Sequence, residues 1–363
     1  MINLPLLKIG NLEFNLIQGG MGVRISGKNL ASAVANCGGA GIIATVGLGQ
    51  SRKEHYPGTY IQANQDALRD EIRAARQMSN GVIGVNAMFA LTDFKELIRV
   101  SVEEGVDLLI AGAGMPRDLP KLVGDAPISL VPIVSDKRTA ELMTRAWRKS
   151  NSKVPDAFIV EGPKAGGHLG FKYDDLVNNT APKLENIAKD VIAFANDPRN
   201  FEKPVPVIVA GGIYTGQDIK EAYKWGATGV QMGTRFVTTL ECDADDRFKQ
   251  AYLDATEEDL RIIESPVGLP GRALWNEFLD EAINGKKNDF RCDYGCLKTC
   301  KPKQSLYCIA KALINAQKGD LKNGFVFAGA NAYRCTPETC LDENGKYIPV
   351  STLMQTISNE FNS

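Results

Sequence analysis

Apolar residues gather along the chain in short β-branched runs, and after each run the spacing changes to the three-and-four step of an amphipathic helix. Eight runs are legible: FNLIQGG, GIIATVG, VIGVNAM, VDLLIAGAG, ISLVPIV, DAFIVEG, VPVIVAGG and TGVQMGT. Segments such as NQDALRDEIRAARQM, TDFKELIRVSVEEG, KRTAELMTRAWRKS and TGQDIKEAYKWG carry the helical spacing between them. This alternation predicts an α/β protein with parallel strands joined by helices. Eight units ending near residue 253 suit a closed (β/α)8 TIM barrel better than the five or six strands of a doubly wound sheet. Five of the runs carry glycine at or near their C-terminal ends: Gly19 and Gly20, Gly112 and Gly114, Gly162, Gly211 and Gly212, and Gly233. Barrel enzymes build their sites at that end, where glycine serves either a tight turn or the close approach of backbone to a ligand.

Two stretches depart from the repeat. GLGQSRKEHYPGTYIQANQ, after the second run, is longer than the usual connection of about 2–6 residues and is expected to lie over the barrel mouth. The tail from 254 to 363 opens with TEEDLRIIESPVGLPGRAL, which reads as a charged amphipathic helix running into a Pro/Gly loop. Helices are expected to follow through WNEFLDEAINGKK and SLYCIAKALINAQKGDL. The domain plan is therefore a barrel over 1–253 and a cysteine-containing, helical C-terminal extension over 254–363 that packs on the barrel and covers its active site. No internal repeat beyond the βα unit and no low-complexity segment is visible.

Charge narrows the partners. With 42 basic and 43 acidic residues the formal net charge is -1, so no global field draws the chain to nucleic acid or an anionic membrane, and a small molecule is the expected partner. No apolar run nears the roughly 20 residues of a membrane helix, and MINLPLLKIGNLEF lacks a signal-peptide plan, so a cytoplasmic location is expected. Six of the eight cysteines (Cys292, Cys296, Cys300, Cys308, Cys335 and Cys340) crowd the last quarter. Cys292, Cys296 and Cys300 recur every four residues, one side of a helix, with Cys308 beyond them. Reduced thiols, a metal or iron–sulfur site and a regulatory disulfide are the three readings, the first favoured because the spacing is not a common ligand pattern and the cytosol is reducing.

The strongest local signal is PVIVAGGIYTG followed, one helix later, by GATGVQMGTRF. The loops after barrel strands seven and eight commonly bind phosphate, because glycine exposes backbone N–H groups and a helix N-terminus favours an anion. Gly211, Gly212, Gly233 and Thr234 are the expected donors; a sugar phosphate would use the same cradle as a flavin phosphate. NLIQGGMG sets Gln18, Gly19, Gly20 and Met21 at the top of the first strand, where a flat ring can lie with Gln18 at its edge, although a plain turn explains the same residues. Asn86 ends an otherwise apolar strand, as a buried amide or a ligand contact.

His168 stands behind Gly166 and Gly167 in AGGHLG, where few side chains pack around it, and imidazole there can act as base, acid or neutral donor. The second histidine, His55, lies in the polar insertion and is expected to be solvated. No Walker-type loop, dinucleotide fingerprint, His/carboxylate metal cluster or serine triad is legible, and no metal site is expected.

Together IQGGMG, GVNAM, EGPKAGGHLG and PVIVAGGIYTG with GVQMGTRF resemble the nitronate monooxygenase family, formerly 2-nitropropane dioxygenases, which is related to the flavin-dependent enoyl-[acyl-carrier-protein] reductases. SPVGLPGRAL and NGFVFAGANAY extend the likeness across most of the chain outside the cysteine-rich stretch. The resemblance implies FMN held by Gly20, Met21, Asn86, Gly167, Gly211, Gly212, Gln231, Gly233 and Thr234, with His168 as the catalytic residue facing the reactive edge of the flavin. It implies oxidation of alkyl nitronates by oxygen to carbonyl compounds and nitrite. The alternative is an NAD(P)H-dependent reductase of enoyl thioesters, and a third reading is a flavin-binding protein whose cysteine-rich tail reports redox state or joins a partner. Members often have a carboxylate where this chain has Lys164, a change that alters charge near an anionic substrate unless the lysine is simply solvated. A homodimer formed through outer helices is the expected assembly.

Overall fold

The computed structural model describes residues 2–51, 58–285, 292 and 294–363. The sequence runs become the strands Ile17–Gln18 (β1), Gly41–Ala44 (β2), Ile83–Met88 (β3), Leu108–Gly112 (β4), Ser129–Val134 (β5), Phe158–Glu161 (β6), Val207–Ala210 (β7) and Gly229–Met232 (β8). From β2 onward each strand pairs in parallel with the next, and β8 pairs back onto β1. A parallel bridge from Ile17 to Ala40, one residue before β2, closes the ring. At that seam the Gln18 carboxamide accepts from the Ile42 N–H at 3.1 Å and donates to the Gly19 carbonyl. Gln18 is fully buried and so holds the barrel closed, where the sequence suggested the edge of a flat ring.

Inward-facing Ile42, Ile110, Val131, Ile159 and Ile208 fill the interior as a packed core. A hairpin of Leu7–Ile9 with Leu12–Phe14 contributes Leu7, Ile9 and Phe14 to the same cluster. A Cβ on Gly229, at the start of β8, would sit 2.7 Å from Leu7, so the hairpin stoppers the N-terminal end of the barrel. The opposite end is left for chemistry. Outside the sheet, helices such as Tyr60–Met78, Phe94–Glu103 and Lys137–Asn151 bury Leu68, Leu97 and Trp147 against it.

The tail differs from its sequence reading in two places. Where a charged helix was expected, Leu260–Glu264 (β9) and Pro270–Leu274 (β10) form an antiparallel hairpin, and Val326–Phe327 (β11) adds to it. The hairpin wins because β10 also pairs with a two-residue strand at Gly167–His168, Gly271 opposite His168 and Arg272 opposite Gly167. The four-residue cysteine period likewise makes no helix. Leu297 bridges to Leu91, and the Thr92 N–H donates to the Cys296 carbonyl at 3.0 Å, so Cys296 and Leu297 run alongside the loop after β3 and no helix forms over Tyr294–Cys300. All eight cysteines are free, and the described residues contain no grouping of three or more His, Cys, Asp or Glu able to hold a metal ion. His55 and the middle of its insertion lie outside the described residues.

The chain ends in a helix, Val350–Asn362, that sequence reading did not single out. Its Val350, Leu353, Met354 and Ile357 join the core cluster of the barrel's outer face, beside the helix Gly216–Lys224 that follows β7. None of the described helices is long and apolar enough to cross a membrane.

Candidate active site

At the C-terminal ends of the strands a cavity of about 300 Å³ opens, a size suited to a small ligand or part of a cofactor. Gly20, Met21, Asn86, Gly167, His168, Gly211, Gly212, Gln231, Gly233 and Thr234 all line it. Residues more than 200 positions apart in sequence meet there because every loop after a barrel strand rises on the same face.

Close approach explains the glycines. A Cβ on Gly20 would fall 2.4 Å from the Asn86 Cβ, so β1 and β3 come together above the core only without a side chain there. Gly211 and Gly212 have φ of +88° and +102°, backbone that L side chains rarely adopt. Asn331, from the tail, donates to the Gly212 carbonyl at 2.7 Å and fixes that turn. Gly233 precedes the short helix Thr234–Val237, and Gly329 of the tail lies so near that a Cβ on it would be 2.6 Å from the Thr234 Oγ1.

Gln231, on β8, is buried, and its Oε1 has no hydrogen-bond partner among the described residues. An orphaned acceptor costs about 1–3 kcal/mol, and here it borders a cavity that a donor-bearing ligand can enter. Glycine-exposed backbone, an unfilled acceptor and apolar lining from Met21, Ile133 and Phe327 together fit a phosphate-bearing aromatic cofactor.

His168 is held from the tail side. Its Nε2 lies 2.8 Å from the Ser265 Oγ, and its ring meets Phe327 edge-on with centroids 5.0 Å apart. The Ser265 Oγ also accepts from the Val267 N–H at 3.2 Å, which fixes the hydroxyl that holds the ring. Burial pushes the imidazole down to about 4, so it is neutral at working pH.

Sequence reading missed Glu161, the last residue of β6. Its carboxyl borders the cavity, and burial pushes it up to about 7. The signal was present in DAFIVEG, an acid closing an apolar strand on the catalytic face. The lining from the tail, Leu313, Phe327, Ala328 and Gly329, was not legible residue by residue. Lys164 also lines the cavity, and its side-chain carbons lie where a Cβ on Gly212 would come within 3.1 Å, so it stands beside the glycine pair at the rim.

A (β/α)8 barrel with one glycine-lined cavity at its C-terminal face, holding a neutral histidine and a near-neutral carboxyl, is the design of a barrel enzyme acting on a small molecule. The chain belongs to the nitronate monooxygenase family, whose model matches residues 3–343. Membership makes it an oxidoreductase. It is 27% identical over 283 residues to a (3aS,4S,5R,7aS)-5-hydroxy-7a-methyl-1-oxo-octahydro-1H-indene-4-carboxyl-CoA dehydrogenase of Mycobacterium tuberculosis, an alignment covering 78% of this chain and 69% of that one. It is 26% identical to a probable nitronate monooxygenase of Staphylococcus saprophyticus, covering 74% of this chain and 78% of the other. Among solved structures, FabK from Thermotoga maritima superimposes with a TM-score of 0.73 at 26% identity, covering 97% of this chain and 93% of that one.

Proposed function

We propose that the protein is an FMN-dependent oxidoreductase that oxidises alkyl nitronates to carbonyl compounds and nitrite. The observation that carries this reading is the neutral His168 in the same cavity as the glycine cradle and the orphaned Gln231 Oε1. The backbone N–H groups of Gly211, Gly212, Gly233 and Thr234 would hold the phosphate, and Gly20, Met21, Asn86, Gly167 and Gln231 would border the ring. When bound, FMN would supply the electron acceptor for the oxidation. His168 orients the substrate: a neutral imidazole anchored at Nε2 by the Ser265 hydroxyl and packed edge-on against Phe327 keeps one fixed orientation in the cavity. Phe327 and the tail around it exclude water from that side.

A second reading, reduction of an enoyl thioester with NAD(P)H, is favoured by the likeness to FabK and to a carboxyl-CoA dehydrogenase. One experiment separates the two. Purified protein loaded with FMN is mixed, without oxygen, with an alkyl nitronate in one cuvette and with NADH or NADPH in another. Loss of the visible flavin absorbance with the nitronate alone is the expected result. Rapid loss with a nicotinamide and none with the nitronate would move the assignment to the reductase, and no flavin binding on titration would end both.

A further inference from the structure

Two thiols beneath the candidate phosphate cradle have no part in the reaction proposed above. Cys335 and Cys340 bracket the start of the short helix Pro337–Cys340, where Thr336 is the cap and its N–H donates to the Thr339 Oγ1 at 3.0 Å. They stand just before the cap and at the fourth helical residue, the two positions whose side chains pack together at a capped N-terminus. Apolar side chains usually meet there; in this chain two buried sulfurs meet instead. Hydroxyl groups converge on them. The Tyr214 hydroxyl donates to the Cys335 Sγ at 3.4 Å, and the Thr238 Oγ1 donates to the Cys340 Sγ at 3.1 Å. Tyr214 lies two residues past the Gly211–Gly212 turn, and Thr238 ends the helix that Thr234 opens, so each sulfur is tied to one of the candidate phosphate loops. The hydrogen bond from the Cys335 thiol, helped by the Thr238 and Thr339 hydroxyls and by Arg235 against the opposing effect of burial, holds the Cys340 thiol below its ordinary range.

We propose that Cys335 and Cys340 are a redox dithiol, closed to a disulfide by hydrogen peroxide and reopened by thiols, and that closure loosens the phosphate cradle; only the effect on the cradle rests on the function proposed above. The contact of the two side chains is what a disulfide needs, with Cβ atoms about 3.5–4.5 Å apart. The Cys340 thiolate attacks one peroxide oxygen, the O–O bond breaks, and a sulfenic acid forms as hydroxide leaves. The Cys335 sulfur then displaces the sulfenic oxygen, the S–S bond forms, and the Cys335 proton leaves with that oxygen as water. In sum the two thiols lose two electrons and two protons, and peroxide becomes two molecules of water. Phe248, Tyr252 and Ala328 line the cavity and belong to the same buried cluster as both sulfurs, so peroxide formed in the cavity has one layer of side chains to cross. A disulfide sulfur accepts more weakly than a thiolate, and the Tyr214 and Thr238 hydroxyls then lose their partners inside that cluster.

Peptide mapping of the full chain, free of flavin, tests the site. Reduced protein is treated with hydrogen peroxide, blocked with iodoacetamide and cut with trypsin, which releases both cysteines in one peptide between Arg334 and Lys346. That peptide should escape alkylation and be lighter by two hydrogen atoms than its thiol form, and dithiothreitol should restore both thiols. In Cys335→Ser the Cys340 sulfenic acid has no partner and should be captured by dimedone; no adduct there overturns the order of attack. Two alkylated cysteines after peroxide, or either sulfur bonded to another cysteine, overturns the dithiol. FMN titration reads the effect on the cradle: oxidised wild type should bind about 3-fold or more weakly than reduced, the loss expected for a hydrogen bond or two, while Cys335→Ser should bind equally before and after peroxide. Equal affinity of the reduced and disulfide forms overturns the link to the cradle. If reduced wild type binds no FMN the proposed function fails, yet the peptide masses still decide the dithiol, so the two failures are told apart.

Discussion

At the scale of single residues, the cavity sets two titrations against each other. His168 has its proton affinity lowered by folding, so the unfolded chain binds a proton that the folded one refuses between about 6.5 and 4. Its contribution is complete above about 6.5 and is lost as pH falls towards 4, a span corresponding to about 3 kcal/mol. Glu161 runs the other way. Its folded value is raised, so its contribution is complete below about 4.5 and is lost as pH rises through about 7. Urea unfolding of flavin-free protein should therefore find Glu161→Gln more stable than wild type at pH 8, with the difference closing by pH 4.5. His168→Gln should flatten the acid limb. In turnover, His168→Ala is expected to lower kcat for nitronate about 100-fold while flavin still binds, since the ring positions substrate and does not hold the cradle. A variant that keeps wild-type kcat would remove His168 from the reaction.

At the scale of elements, the contact between β1 and β3 depends on one absent side chain. Gly20→Ala places a Cβ 2.4 Å from that of Asn86, an atom fixed directly to the β3 backbone, so the loop after β1 must move away from β3. The expected cost is about 1–3 kcal/mol, together with weaker flavin binding, read by denaturant midpoint and fluorescence titration. Asn86→Gly in the same chain should recover part of the loss, because the clash is between these two atoms and adding the second change removes one of them. The same locality explains what could be read in advance. All eight barrel strands were legible because each is a short apolar run with its own punctuation; most cavity residues followed from knowing which end of a barrel carries chemistry, while Gly167 and Gln231 came only from the family resemblance. The β9–β10 hairpin was not, because Leu260 and Ile263 recur at helical spacing and the partner that makes a strand of β10 lies at Gly167–His168, about a hundred residues away. The cysteine period failed for the same reason, since the contacts of Leu297 and Cys296 are with Leu91 and Thr92. Local periodicity does not report a distant strand.

At the scale of the whole molecule, the end of the chain reaches the back of the candidate phosphate cradle. Glu360, near the end of the last helix, holds Arg235 with two bonds of 2.8 Å and accepts from the Gly216 N–H at 2.9 Å. Arg235 follows Thr234 directly, and Gly216 opens the helix after the Gly211–Gly212 turn, so one carboxylate ties both loops together. The helix can sit this close because position 216 is glycine: a Cβ there would come within 2.1 Å of the Phe361 nitrogen. The Arg235 side chain is 6% exposed and cannot turn to water when its partner is removed. Glu360→Gln should therefore cost about 3 kcal/mol, the low end of the range for a broken buried pair because Glu360 itself is 28% exposed. If the cradle is the FMN phosphate site, affinity for FMN should fall more than affinity for riboflavin, which lacks the phosphate. Equal losses for both ligands would mean that the pair supports the barrel wall as a whole and leaves the geometry of the phosphate loops untouched. Arg235→Met with Glu360→Met, which removes both charges, should return much of the stability without returning the preference for phosphate.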